Sequence, residues 1–298
     1  MKKLNALICI TNVALAGTAP VDNCGALFES PEVREIASGF QLAEGPLWHS
    51  AKQQFIFSSV LEDSIYSLGA DDSISLLSKP SGYANGSALD GAGSLWSARH
   101  DRKVSKTSPL GKVDIMVAQF AGKKLNSPND LVIHSDGSVW VTDPSFGIIG
   151  YPLTEEQEQP VQGLYRLKQG TLSLMDDQFI QPNGLAFSPD ERVLYVAEFT
   201  DGWVYSYDLE GDKIVNKRQF AQVANGYEGS SADGVKVDTQ GNVWVAGPRA
   251  LGIFTHAGDS LCRLPIPAPA FTNLAFGGVD GKQVLLTSFD KLYRLQRK

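Results

Sequence analysis

Six short segments of this 298-residue chain set an oxygen-donor side chain just ahead of an apolar-alternating strand. They are Glu44-Gly45-Pro46-Leu47, Asn85-Gly86-Ser87-Ala88, Asn129-Asp130-Leu131-Val132, Asn183-Gly184-Leu185-Ala186, Asp233-Gly234-Val235-Lys236 and Asn273-Leu274-Ala275-Phe276. Every head residue is a carboxylate or a carboxamide, and none is His or Cys. A hard divalent cation takes such oxygen ligands. Two carboxylates, Glu44 and Asp233, would balance its double charge while neutral amides complete the set. Taken singly, an Asn-Gly or Asp-Gly pair reads as a tight turn. The recurrence of donors at one repeated position raises the metal reading above that one.

The elements that must hold these heads are hairpins. Val235-Lys236-Val237 and Val243-Trp244-Val245 alternate apolar and polar residues around the turn Thr239-Gln240-Gly241-Asn242. The same pattern follows each of the other heads, which are spaced 41, 44, 54, 50 and 40 residues apart. A period of roughly 40–50 residues built from short strands predicts propeller blades. The fold expected is therefore all-β, a six-bladed β-propeller with a metal site in its central channel. In that architecture the first strand of each blade lines the channel, so equivalent heads converge at one mouth. Trp96, Trp140 and Trp244 share one second-strand position, which points to packing between blades. Closure of the ring predicts that a strand within Val33–Leu42 joins the C-terminal strand Lys291–Leu295 in one blade. The longest irregular stretch, from after Ile148 to about Gln162, contains Glu155-Glu156-Gln157-Glu158; this run reads as a solvated loop or helical turn, and the length of the stretch suggests a lid beside the head end.

Composition narrows the partners. The net charge is −7, with no basic cluster, which disfavours nucleic acid and anionic membranes. No apolar run is long enough to span a bilayer. Met1-Lys2-Lys3, a mostly apolar stretch from Ala6 to Ala16 and the A-x-A site Ala14-Leu15-Ala16 predict a signal peptide over residues 1–16. An irregular segment, 17–32, and a single propeller domain, 33–298, follow. The protein is expected in the periplasm or secreted, with the cytoplasm as the alternative. Cleavage removes Cys9 and leaves Cys24 and Cys262 as an even pair, able to form a disulfide in an oxidising compartment. His49, His100, His134 and His256 share no repeated spacing and read as surface or structural residues. No Gly-x-Ser-x-Gly elbow supports a serine hydrolase.

Glu44-Gly45-Pro46, Leu125-Asn126-Ser127-Pro128-Asn129-Asp130, Asp143-Pro144-Ser145-Phe146-Gly147, Pro182-Asn183-Gly184-Leu185 and Asp233-Gly234 occur in the order and spacing of a known family. Across residues 33–295 the chain resembles the SMP-30/gluconolactonase/LRE-like family. The resemblance implies a six-bladed propeller with one divalent metal, Ca²⁺ first, with Mg²⁺, Mn²⁺ or Zn²⁺ as alternatives. It implies Glu44, Asn183 and Asp233 as the metal ligands and Asp233 also as general acid/base. Asn129, with its neighbour Asp130, falls at the substrate-facing position. Two departures stand out. Some members carry Arg two residues before the Asn, where this chain has Ser127, and a Pro commonly precedes the Asp, where it has Ala232.

The expected function is metal-dependent hydrolysis of a small-molecule lactone, with the cation as Lewis acid. Two alternatives remain: phosphotriester hydrolysis at the same site, and a non-catalytic propeller that binds a ligand or protein. A monomer or weak homo-oligomer is expected.

Overall fold

Strand alternation sends successive side chains to opposite faces, and in this fold each face meets a different blade. In Gln54-Phe55-Ile56-Phe57, the computed structural model packs Phe55 and Phe57 with Leu285 and Leu292 of the last blade. Ile56 turns the other way, toward Ala84 of the second. The structure describes residues 24–28, 31–223 and 231–298. The expected signal peptide, residues 1–16, lies outside the described residues.

The strand β1 (Arg34–Ser38) precedes the first sheet, which comprises β2 (Ala43–His49), β3 (Gln54–Ser59), β4 (Ser64–Leu68) and β5 (Ile74–Ser78). The second sheet contains β6 (Ala84–Leu89), β7 (Leu95–Arg99), β8 (Lys103–Thr107) and β9 (Val113–Val117). A small hairpin, β10 (Gln119–Phe120) with β11 (Lys123–Lys124), leads to the third: β12 (Leu131–Ile133), β13 (Val139–Asp143), β14 (Gln162–Lys168) and β15 (Thr171–Phe179). The fourth holds β16 (Pro182–Phe187), β17 (Val193–Glu198), β18 (Trp203–Glu210) and β19 (Lys213–Gln222). The fifth holds β20 (Val235–Val237), β21 (Val243–Phe254) and β22 (Ser260–Ala270), and the last β23 (Asn273–Gly277), β24 (Gln283–Thr287) and β25 (Lys291–Gln296). Within each sheet successive strands are antiparallel neighbours. The inner strands touch in a closed cycle, β2 to β6, β12, β16, β20, β23 and back to β2. This is the six-bladed β-propeller expected from the repeats.

Two details of the blades differ in how they meet the expectation. The ring closes as predicted: β1 pairs with β25, Arg34 opposite Arg294 and Ser38 opposite Lys291, as the outer strand of the last blade. The fifth blade is not built from four separate strands. Its second and third segments run together as β21, whose first part pairs with β20 and whose second part pairs with β22. The connection there is only Gly247-Pro248-Arg249, with Arg249 at φ 58°, so no irregular residues separate the two segments.

The core is divided among the seams between blades. Trp140 and Trp244 are fully buried in two of these seams, as their shared position predicts. Their indole N–H groups donate to turn residues, Trp140 to Ser138 Oγ at 3.1 Å and Trp244 to Asp238 Oδ2 at 3.0 Å. Trp96 does the same with Asp90 Oδ2 at 3.0 Å. The seam between the fifth and last blades also takes in Phe28 and a disulfide, Cys24–Cys262, with Cα atoms 4.8 Å apart. The acidic run of the long loop is solvent-exposed, as expected, and is also anchored. Arg102, itself buried, donates from Nη1 to Glu155 Oε2 at 2.6 Å and lies 3.4 Å from Glu158 Oε1. No helix among the described residues is long and apolar enough to cross a membrane.

Candidate active site

At the four heads where Gly follows the donor, the inner strands approach one another too closely for a side chain at that position. A Cβ at Gly86 would lie 2.1 Å from Asp130 Oδ1, and one at Gly234 would lie 2.2 Å from Asn273 Oδ1. Gly86 N donates to Asn129 O at 2.7 Å, and Gly234 N to Thr272 O at 2.8 Å, so each inner strand hangs on the next. The glycines of the Asn-Gly and Asp-Gly pairs thus serve this crowding more than the turn that the dipeptides suggest.

Glu44, Asp130, Asn183 and Asp233 come together at this mouth, and Asn129 joins through its backbone, whose carbonyl accepts from Gly86 N. Glu44, Asn129, Asp130 and Asn183 are buried. Glu44 Oε2 accepts from its neighbour Gly45 N at 2.7 Å and from Asn273 Nδ2, in the adjacent last blade, at 3.1 Å. Asn273 Nδ2 also reaches Asp130 Oδ2 at 3.4 Å, tying the last blade to the third. Asn183 is placed by its backbone, whose carbonyl accepts from Thr142 Oγ1 at 2.8 Å.

Two residues belong to the site that the sequence did not single out. Lys236, three positions after Asp233 on the fifth inner strand, puts Nζ 3.5 Å from Asp130 Oδ2. Its signal was a lone cation between Val235 and Val237 on a channel strand. His100 is buried, with Nε2 3.1 Å from Asn85 Nδ2; burial holds its pKa down at about 4, so the ring is neutral. It supports a head residue, which is the structural one of the two roles expected of it.

The electrostatics are those of an unbalanced acidic cluster. Burial pushes Glu44 up to about 7, opposed by the Gly45 N–H bond and reinforced by the charge of Asp130. Asp233 is raised well above the carboxylate range by burial first, then by the charges of Glu44 and Asp130; the Asn183 side chain and Lys236 act the other way. Three carboxylates and one ammonium leave two negative charges when all are ionised. Asn85 Oδ1, Asn183 Oδ1 and Asp233 Oδ1 are buried and have no hydrogen-bond partner among the described residues. No group of three His, Cys, Asp or Glu side chains among the described residues forms a metal site by itself. A fit to a cation therefore depends on amide oxygens. Orphaned oxygens on Asn183 and Asp233, a carboxylate on Glu44 and a residual charge of −2 fit one hard divalent ion.

A cleft of about 460 Å³ lies elsewhere, between the second and third blades at the opposite ends of their inner strands, beside Trp96 and His134. Its charged lining residues pair with one another, Lys106 Nζ lying 2.8 Å from Asp90 Oδ2.

Comparison with known proteins bears on the fold and the activity. Residues 42–290 match the family described as the SMP-30/Gluconolactonase/LRE-like region. A gluconolactonase of Zymomonas mobilis is 30% identical, the match covering 90% of this chain and 82% of that protein. The solved structure of a gluconolactonase from Xanthomonas campestris superposes with a TM-score of 0.86 at 27% identity, over 96% of this chain and 99% of that one. A calcium-binding protein, regucalcin, from Agrobacterium tumefaciens shares the fold, with a TM-score of 0.75 at 18% identity over 90% and 94% of the two chains.

Proposed function

This chain belongs to the SMP-30/gluconolactonase/LRE-like family and is a lactonase, and we propose that it works with one divalent cation held by Glu44, Asn183 and Asp233. The observation that carries the metal reading is the pair of buried, unpartnered oxygens on Asn183 and Asp233 beside a carboxyl raised to about 7 on Glu44. When bound, the cation supplies Lewis acidity at the ester carbonyl and stabilises developing negative charge. Ca²⁺ suits an all-oxygen donor set best.

The protein's own residues do the rest. Asn129 and Asp130 hold the lactone at the mouth. Asp233 takes a proton from the attacking water as its oxygen bonds to the carbonyl carbon. When the ring C–O bond breaks, Asp233 returns that proton to the leaving alkoxide, and the product is a hydroxy acid. Transfers of this kind contribute about 10²–10⁴-fold. Asn273 keeps Glu44 aimed, and His100 keeps Asn85 in place. The Cys24–Cys262 disulfide supports placing the enzyme in an oxidising compartment, periplasmic or secreted.

The test is hydrolysis of a lactone followed by proton release, before and after chelation, with bound metal quantified on the same sample. Chelation should abolish turnover and lower the melting temperature, and readdition of Ca²⁺, or of Mg²⁺, Mn²⁺ or Zn²⁺, should restore both. Full turnover in protein shown to be metal-free would overturn the metal reading. Phosphotriester turnover exceeding that of every lactone would reassign the reaction.

A further inference from the structure

On the lactonase reading, we propose that the substrate class is a lactone carrying an apolar substituent, alkyl or aryl, rather than a polyhydroxylated sugar lactone. The observation is a division of labour along the rim of the mouth over the first four blades. Outside the ring of head residues, several polar side chains there are engaged within the protein, and large apolar ones are left facing solvent.

The rim is built mainly by the loop between β13 and β14. Tyr151 reaches from that loop to the first blade, its hydroxyl donating to Leu61 O at 2.9 Å, so the loop spans the second blade. It sits directly on the site's walls. A Cβ at Gly147 would fall 2.6 Å from His100 Cβ and 2.7 Å from Ser127 Cβ. Along this path Ile149 is 54% exposed and Tyr151 41%. Ile180, three residues before Asn183, is 63% exposed. Phe146 of this loop meets Phe199 edge to face with ring centroids 5.2 Å apart, both only half-buried.

Several polar residues of the same arc are already bonded within the protein. Ser127 is fully buried; its Oγ donates to Pro144 O at 2.6 Å and accepts from Gly147 N at 2.8 Å. Asp63 Oδ1 accepts from Ser81 N and Tyr83 N at 2.9 and 2.7 Å. The Glu198 carboxylate accepts from the backbone N–H groups of Ile180, Gln181 and Thr200. Gln181 exchanges bonds with Ser145 at Nε2 and Oε1. A sugar lactone entering here would exchange water for apolar surface at its hydroxyls, each losing a hydrogen bond. An alkyl or aryl group would bury area at roughly 25 cal/mol per Å².

The experiment compares kcat/KM for D-glucono-δ-lactone, dihydrocoumarin and an alkyl-substituted δ-lactone in the wild-type holoenzyme, Ile149→Ser, Ile180→Ser and the double variant. Leu110→Ser, on a distant turn, is the control. The wild type should favour the apolar lactones. The double variant should lower the apolar-to-sugar ratio about tenfold, since a methylene or two of apolar contact is worth that much, while Leu110→Ser leaves the ratio alone. Inhibition by the matching alkyl δ-lactam should weaken in parallel. Melting temperatures within a degree or so of wild type will show that the variants fold. A preference for the sugar lactone, or a ratio unmoved in the double variant, would overturn the inference while leaving the lactonase reading intact. Failure to open any lactone would remove both.

Discussion

Asp233 carries two proposed duties, ligand and proton carrier, and two substitutions separate them. Asp233→Asn keeps an oxygen donor and nearly the same shape but gives up the exchangeable proton. At saturating metal it should bind the cation yet turn over about 10²–10⁴-fold more slowly. Asp233→Ala should lose metal affinity as well, since only Glu44 and Asp130 then remain as channel carboxylates. Near-normal turnover of metal-loaded Asp233→Asn would move the proton to Asp130. Lys236 gives an opposite sign. Its ammonium lies in the same cluster, 3.5 Å from Asp130 Oδ2, and would repel a cation at Glu44 and Asp233. Lys236→Met should therefore bind Ca²⁺ about tenfold more tightly by calorimetry, at a charge-interaction energy ordinary for partly buried groups. Weaker binding would mean that Lys236 orders Asp130 more than it repels the metal. At this scale the ring of heads was legible because donor type and spacing recur. Lys236 was not, since it does not repeat and acts through Asp130 on another blade; His100 read only as surface or structural, because its spacing does not repeat and its tie to Asn85 across the hairpin of its own blade does not show in a linear pattern.

The element that most repays attention is β13 with the loop behind it. Asp143 ends that strand fully buried and accepts from Asn126 N at 2.8 Å, which holds the segment leading to Asn129. Burial raises its pKa to about 7, against the N–H bonds of Asn126 and Ser127 and the charge of Arg102. The folded protein thus keeps this proton to a higher pH than the unfolded chain, where a carboxyl ionises near 4. The contribution to stability is fully present below the unfolded value and is lost as pH rises through about 7. Asp143→Asn mimics the protonated acid. Its melting temperature relative to wild type should rise by several degrees between pH 5 and pH 8, measured on chelated protein; a constant difference would show that Asp143 is ionised throughout. Strand identity was readable wherever apolar residues alternate, as in β3 or β20. The division of the fifth blade was not, because Gly247-Pro248-Arg249 reads as a break while its backbone continues the ladder, Pro248 pairing with Ala270. Likewise, Glu155 and Glu158 read as solvated because their partner, Arg102, lies a blade away in the fold.

For the whole molecule, the closing pair β1–β25 was foreseeable from the general need of a ring to cover its edges, and the disulfide only as an even count of cysteines. Together they fasten the same two ends of the chain: Cys24 lies shortly before β1, and Cys262 in the blade before β25. Loss of the bridge in Cys262→Ser should cost roughly 2–5 kcal/mol, seen as a lower melting temperature. An unchanged value would show that the strands alone suffice.

That double fastening also bears on time. Most contacts within a blade are local hairpins, but the last blade cannot form until residues from opposite ends of the chain find each other, and such distant pairings slow folding. With the bridge intact, Ser38 and Lys291 are separated only by the short stretches Cys24–Ser38 and Cys262–Lys291 instead of by nearly the whole propeller. Because loop-closure cost falls with the logarithm of length, this shortening should speed ring closure about tenfold. Denatured protein kept oxidised should therefore refold about tenfold faster than reduced protein in stopped-flow dilution from urea. Equal rates would place the slow step inside the blades.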